Sequence, residues 1–195
     1  MFNVNDFRWL SANDACMPEF SNWSRPYEYA FILNKIKSLS IKNPSIHNTC
    51  CGYSSLHLQF AKKLNELSTN CTHSDIKKDF YFKEIETKYY DITTANDKMF
   101  DVVICVSSLE DVYSETKPDN LKICFNNLIN QVSIGGRLLI TCDYPGVPLW
   151  YCEDMIGQKI TNEKTKLSYA NSILPDLNFK IGAEYHIIVM DLIKC

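Results

Sequence analysis

Phe100-Asp101-Val102-Val103-Ile104-Cys105-Val106 is an apolar run that stops abruptly at Ser107-Ser108-Leu109-Glu110. Apolar residues at both odd and even positions suit a strand covered on both faces, as in a parallel sheet. Further on, Gly135-Gly136 leads into Arg137-Leu138-Leu139-Ile140-Thr141, which reads as a glycine turn feeding a second such strand. Between them Leu121, Cys124, Phe125, Leu128, Ile129 and Val132 recur at helical spacing. Strand, helix and strand make a βαβ unit. Open α/β sheets hold their ligands at the carboxyl ends of such strands, where this chain places small polar residues.

The same alternation extends outward. Residues 1–24 read as an irregular arm carrying Trp9, Phe20 and Trp23. Tyr29, Ile32, Leu33, Ile36 and Leu39 define an amphipathic helix over 26–40, with Pro26 tolerated in its first turn. Strands are expected at 45–50, 70–75, 86–90, 100–107 and 137–143. Ser54 or Ser55 is positioned to cap the helix carrying Leu56, Phe60, Ala61, Leu64 and Leu67. Residues 144–160 read as loop with one helical turn, 162–173 as helix, and Phe179–Cys195 as two closing strands. The expectation is a three-layer α/β/α sandwich on a seven-stranded, mostly parallel sheet whose last strand is antiparallel. One domain is expected over 1–195, with 1–43 covering the site and 44–195 forming the core.

A net charge of −3 offers no general attraction to nucleic acid, and there is no apolar run long enough to span a membrane. The amino-terminal residues lack the basic and apolar regions of a signal peptide, so a cytoplasmic protein is expected. Nine cysteines without a C-x-x-C read as free thiols. The four histidines show no metal-binding spacing, so no metal is expected. A nicotinamide dehydrogenase wants G-x-G-x-x-G, of which only Gly52 is present.

On these residues the chain resembles the class I S-adenosylmethionine-dependent methyltransferases over roughly 44–143, with a Rossmann-like core. The resemblance implies S-adenosylmethionine as cofactor and assigns positions to it. The first strand and its turn, Asn48-Thr49-Cys50-Cys51-Gly52-Tyr53-Ser54, would face the methionine part through Asn48, Cys50 and Gly52. Cys50 and Ser54 stand where the family usually has glycine, and Asn48 where it has an acid. Asp75, followed by Ile76, matches the acid that grips the ribose hydroxyls, and Asp91-Ile92 matches the position that meets the adenine. Ser107 and Ser108 would lie beneath the cofactor. Arg25 is a candidate for the methionine carboxylate and Tyr29 for the pocket lining.

Methyl transfer asks mainly for proximity and orientation, sometimes with one base. Candidates near the reacting end are Glu110, Asp111, Asp143 and Tyr144, with Asp111 standing where many relatives carry histidine. The loop with Trp150 and Tyr151 would cover the acceptor. Acidic and aromatic lining suits a small molecule or a sugar; no nucleic acid partner is expected. The competing expectation is a methyltransferase-like binding or scaffold protein that has lost activity, motivated by Asn48, Cys50 and Ser54.

Overall fold

In the computed structural model, residues 1–20, 24–77, 83–113, 119–164 and 186–195 are described. The strands are β1 (Phe2–Trp9), β2 (Ile46–Thr49), β3 (Cys71–Asp75), β4 (Thr87–Tyr89), β5 (Phe100–Val106), β6 (Val132–Tyr144) and β7 (His186–Lys194). The helices are α1 (Arg25–Lys37), α2 (Ser55–Leu67), a single turn α3 (Leu109–Val112), α4 (Asp119–Asn130) and α5 (Leu149–Ile156). All strands join one sheet in the order β1-β7-β6-β5-β2-β3-β4. β2 to β6 pair in parallel, whereas β7 is antiparallel to both β6 and β1.

Two apolar layers cover the sheet. On one side α4 and α5 pack Leu121, Phe125, Leu128 and Cys152 against Val103, Cys105, Ile140 and Cys142. On the other, α1 and α2 pack Ile32, Leu33, Phe60 and Leu64 against Val102, Ile104, Leu139 and Val189. The three-layer arrangement and the antiparallel final strand agree with the sequence.

Three expectations are corrected. Residues 2–9, read as irregular arm, form edge strand β1 against β7, pairing Phe2 with Lys194 and Trp9 with Ile188. Gly135-Gly136 is a bulge inside β6: Phe100 pairs with Val132 but Val102 already with Arg137. Gly135 has φ +79, and a Cβ on Gly136 would lie 2.6 Å from the Asp101 carbonyl oxygen, so this corner has no room for a side chain. The helix expected over 162–173 is not helical at 162–164; its remainder lies outside the described residues, as do 179–185 of the closing strand pair and Trp23.

The polar strand β2 is explained by a buried network. His47 donates from Nδ1 to Gln131 Oε1 (2.8 Å), and its Nε2 accepts from Ser74 Oγ (2.7 Å). Gln131 in turn donates to Tyr90 Oη and to the Asn127 carbonyl. Asn48 donates to His73 Nδ1, and His73 Nε2 donates to Asn65 Oδ1 on α2. Burial pushes the His47 and His73 pKa values down to about 4, so both rings are neutral members of satisfied networks.

Candidate functional site

The parallel strands β2, β3 and β5 end at one edge of the sheet, and the chain leaves each end through a sharp turn. After β2, Cys50 takes φ +50 and Gly52 φ +69 before Ser54 begins α2. Ser54 Oγ accepts from the His57 backbone N–H, and His57 Nδ1 accepts from the Ser54 backbone N–H at 3.1 Å, a reciprocal cap. After β5, Ser107 takes φ +40. Residues other than glycine seldom adopt this backbone, so the two turns carry strain side by side.

Between these turns lies a cleft of about 470 Å³. Its lining includes every residue the sequence nominated for a cofactor: Arg25, Tyr29, Asn48, Cys50, Gly52, Asp75, Ile76, Asp91, Ile92, Ser107 and Ser108. Asp75 Oδ2 accepts from the Gly52 N–H (3.0 Å) and Oδ1 from the Lys77 N–H (3.0 Å). Asp91 Oδ1 accepts from the Thr93 backbone N–H and hydroxyl. These bonds fix both carboxylates, and a carboxylate oxygen can accept more than one bond.

No protein-family model matches the sequence, and no curated protein matches it either. Solved structures do. The N-methyltransferase NodS from Bradyrhizobium japonicum WM9, solved in complex with S-adenosyl-L-homocysteine, is 11% identical; the match covers 90% of this chain and 95% of that one with a TM-score of 0.52. A TehB-like S-adenosylmethionine-dependent methyltransferase from Corynebacterium glutamicum is 14% identical, covering 84% and 86% with a TM-score of 0.52. This chain has the Rossmann-like methyltransferase fold. A sugar N-methyltransferase from Streptoalloteichus sp. is 14% identical with a TM-score of 0.48; the match covers 58% of this chain but only 46% of that longer protein.

On the methyltransferase fold the cleft has a buried ionic floor. Glu28 on α1 is fully buried and accepts from Ser24 Oγ (2.5 Å), Ser107 Oγ (2.5 Å), Arg25 Nη1 (2.6 Å) and Thr141 Oγ1. Burial opposes ionisation of Glu28, but Arg25 first and then the three hydroxyls outweigh it and hold its pKa below the usual carboxylate range. The sequence reading missed Glu28. Its signal was present: it lies one turn after Arg25 on the inward face of α1.

The four reacting-end candidates separate. Asp111 lines the cleft. Asp143 sits behind its wall with Oδ1 3.1 Å from Ser107 Oγ, whose single proton goes mainly to the nearer Glu28; burial and then Glu28 push its pKa up to about 6. Glu110 turns inward, and its Oε2 has no hydrogen-bond partner among the described residues. Burial and then Asp143 push it up to about 9, so it is protonated at neutral pH. Tyr144, expected to line the acceptor pocket, is not part of the cleft lining. It packs edge to face on Trp9 with ring centroids 5.3 Å apart, because successive strand residues alternate faces and Asp143 takes the cleft side.

His57 was also missed, and it lines the cleft. A Cβ on Gly52 would lie 2.2 Å from His57 Nδ1, so the glycine exists to let this ring lie against the turn. Burial, then the nearby Arg25, holds His57 down to about 4. With Nδ1 accepting from the cap, the single ring proton belongs on Nε2. Its position, third after Ser54, is the recognisable capping-box signal.

Among the described residues no group of three His, Cys, Asp or Glu could hold a metal ion, and no helix is long and apolar enough to cross a membrane.

Proposed function

We propose that this chain binds S-adenosylmethionine in the cleft and directs its methyl group to a small-molecule or sugar acceptor. The observation that carries this reading is the convergence of eleven nominated residues, from α1 and from the ends of β2, β3, β4 and β5 and the turns that follow them, on one cleft of cofactor size.

The residues present fit the group. Asp75 presents a braced carboxylate suited to a pair of ribose hydroxyls. Asp91 can accept from an exocyclic amine, with Ile76 and Ile92 as apolar neighbours. Cys50 and Gly52 bring backbone close to the methionine part, and Asn48 stands at the strand end below them. Arg25 offers guanidinium N–H groups to a carboxylate, although Glu28 already holds one of them. Ser107 and Ser108 floor the site. The cofactor supplies an activated methyl group that leaves its sulfur as a neutral thioether. The protein holds the acceptor in line, excludes water and receives the proton the acceptor sheds. Asp143, with a pKa raised to about 6, is the best-tuned receiver; Asp111 is the one that reaches the cleft directly.

Isothermal titration with S-adenosylmethionine and S-adenosylhomocysteine tests this. Micromolar binding of either is expected, and no binding of both at millimolar ligand overturns the reading. A second reading, a binding or scaffold protein on the same fold, is favoured by the strained Cys50 in the turn and by His57 lying over Gly52. It predicts no turnover across acceptor panels despite an intact fold.

A further inference from the structure

Beyond the cleft, along the same sheet edge, Trp9 ends β1, Tyr144 ends β6 and His186 begins the antiparallel β7. The register pairs Tyr144 with His186 and Trp9 with Ile188, which brings the three rings together. Trp9 and Tyr144 meet at 80°, and His186 packs on Trp9 at 5.8 Å. The two perpendicular rings close on one ammonium group. Lys164 Nζ lies 4.0 Å from the Tyr144 centroid and 4.8 Å from that of Trp9. Lys35 and Lys98 each also meet a ring, at 5.3 and 5.0 Å, but only one ring apiece among the described residues.

Rings set at right angles around a cation are how proteins recognise alkylammonium ligands, because each face presents negative charge without requiring hydrogen bonds. The rings are also held independently of the lysine. Asn162 accepts from the Trp9 N–H and donates to the Trp9 carbonyl, both at 3.0 Å, while β7 pairs with both ring-bearing strands. Lys164 itself is exposed.

We propose that Trp9 and Tyr144 form an aromatic cage for the alkylammonium group of a cationic ligand, and that Lys164 fills the cage until that ligand displaces it.

The cage can be tested without any nucleoside. Tetramethylammonium is titrated calorimetrically into the parent protein and into Lys164→Ala. Opening the cage is expected to tighten binding by about tenfold. In the Lys164→Ala background, Tyr144→Leu removes one wall and is expected to abolish the gain, whereas Tyr144→Phe keeps it. No gain in a Lys164→Ala protein with unchanged near-ultraviolet circular dichroism overturns the proposal. So does a gain that survives Tyr144→Leu. The methyltransferase reading is judged separately, by the S-adenosylhomocysteine titration of the parent.

Discussion

Cys50 occupies a backbone that suits glycine, at φ +50, with its side chain bordering the cleft. A left-handed residue with a Cβ costs about 1 kcal/mol. Replacing it by glycine removes that cost but returns conformational freedom to the unfolded chain. Cys50→Gly should therefore change stability by less than about 1 kcal/mol in urea unfolding. It should raise S-adenosylhomocysteine affinity measurably; unchanged or weaker affinity would rule out crowding at this position. His57 permits a cleaner separation of fold from site. Glu and Gln both serve at the third position of a capping box. His57→Glu and His57→Gln should keep the melting temperature within a few degrees of the parent. Only Gln retains an N–H donor toward the cleft, so His57→Glu should bind the anionic amino-acid end of the cofactor at least about tenfold more weakly. Equal affinities for the two variants would show that His57 does nothing beyond capping. The nominated residues were legible because strand order alone puts the ends of β2, β3 and β5 together. Glu28 and His57 were not, since their roles depend on which way a helix face turns and what it meets.

At the scale of elements, β1 is the instructive failure. Phe2 and Val4 face the α4 side, and so do Phe7 and Trp9, although the spacing between the two pairs is odd. A register shift between Val4 and Asp6 changes the phase of the alternation. The period-two signal of a strand is thereby split into halves too short to recognise. β2 was read correctly at 45–50 despite its buried His47 and Asn48, whose polar side chains are satisfied by partners distant in sequence. On the α1 side, β1 joins a buried charge cluster. Asp191 on β7 is fully buried and accepts from Asn5 on β1 (2.5 Å), from Arg137 on β6 (2.6 Å) and pairs with Lys35 on α1 (3.2 Å). Removing the carboxylate leaves Arg137 without its carboxylate partner beside Lys35, which keeps only Asp6 at 3.0 Å among the described residues. Asp191→Ala is expected to cost about 3 kcal/mol in urea unfolding. Loss of less than about 1 kcal/mol would show that the cluster is solvated rather than a clamp.

Across the whole molecule, buried titratable groups set a pH optimum. His47, His57 and His73 sit near a pKa of about 4 when folded and return to about 6.5 when unfolded. Between those values the unfolded chain binds more protons, so stability rises with pH. Glu110 and Asp143 act oppositely, with folded pKa values of about 9 and about 6. Their contribution is complete at acid pH and is lost as pH climbs through those folded values. Urea unfolding should therefore show maximal stability near pH 6.5 and a decline toward pH 9. Glu110→Gln should abolish most of that decline. A parent protein equally stable at pH 6.5 and 9 would contradict the burial of this carboxyl group.

The pairing of β1 with β7 also has a consequence for how the chain is made. The Cys195 N–H bonds the Met1 carbonyl at 3.1 Å, so segments far apart in sequence are neighbours in the finished sheet. On a ribosome, β1 emerges well before β7 and must wait for it before it has a partner. Until then Phe2, Val4, Phe7 and Trp9 have no sheet to cover them, and the edge of β6 stands open. Any product released short of residue 186 would keep both surfaces exposed, so this part of the sheet closes only once β7 is made.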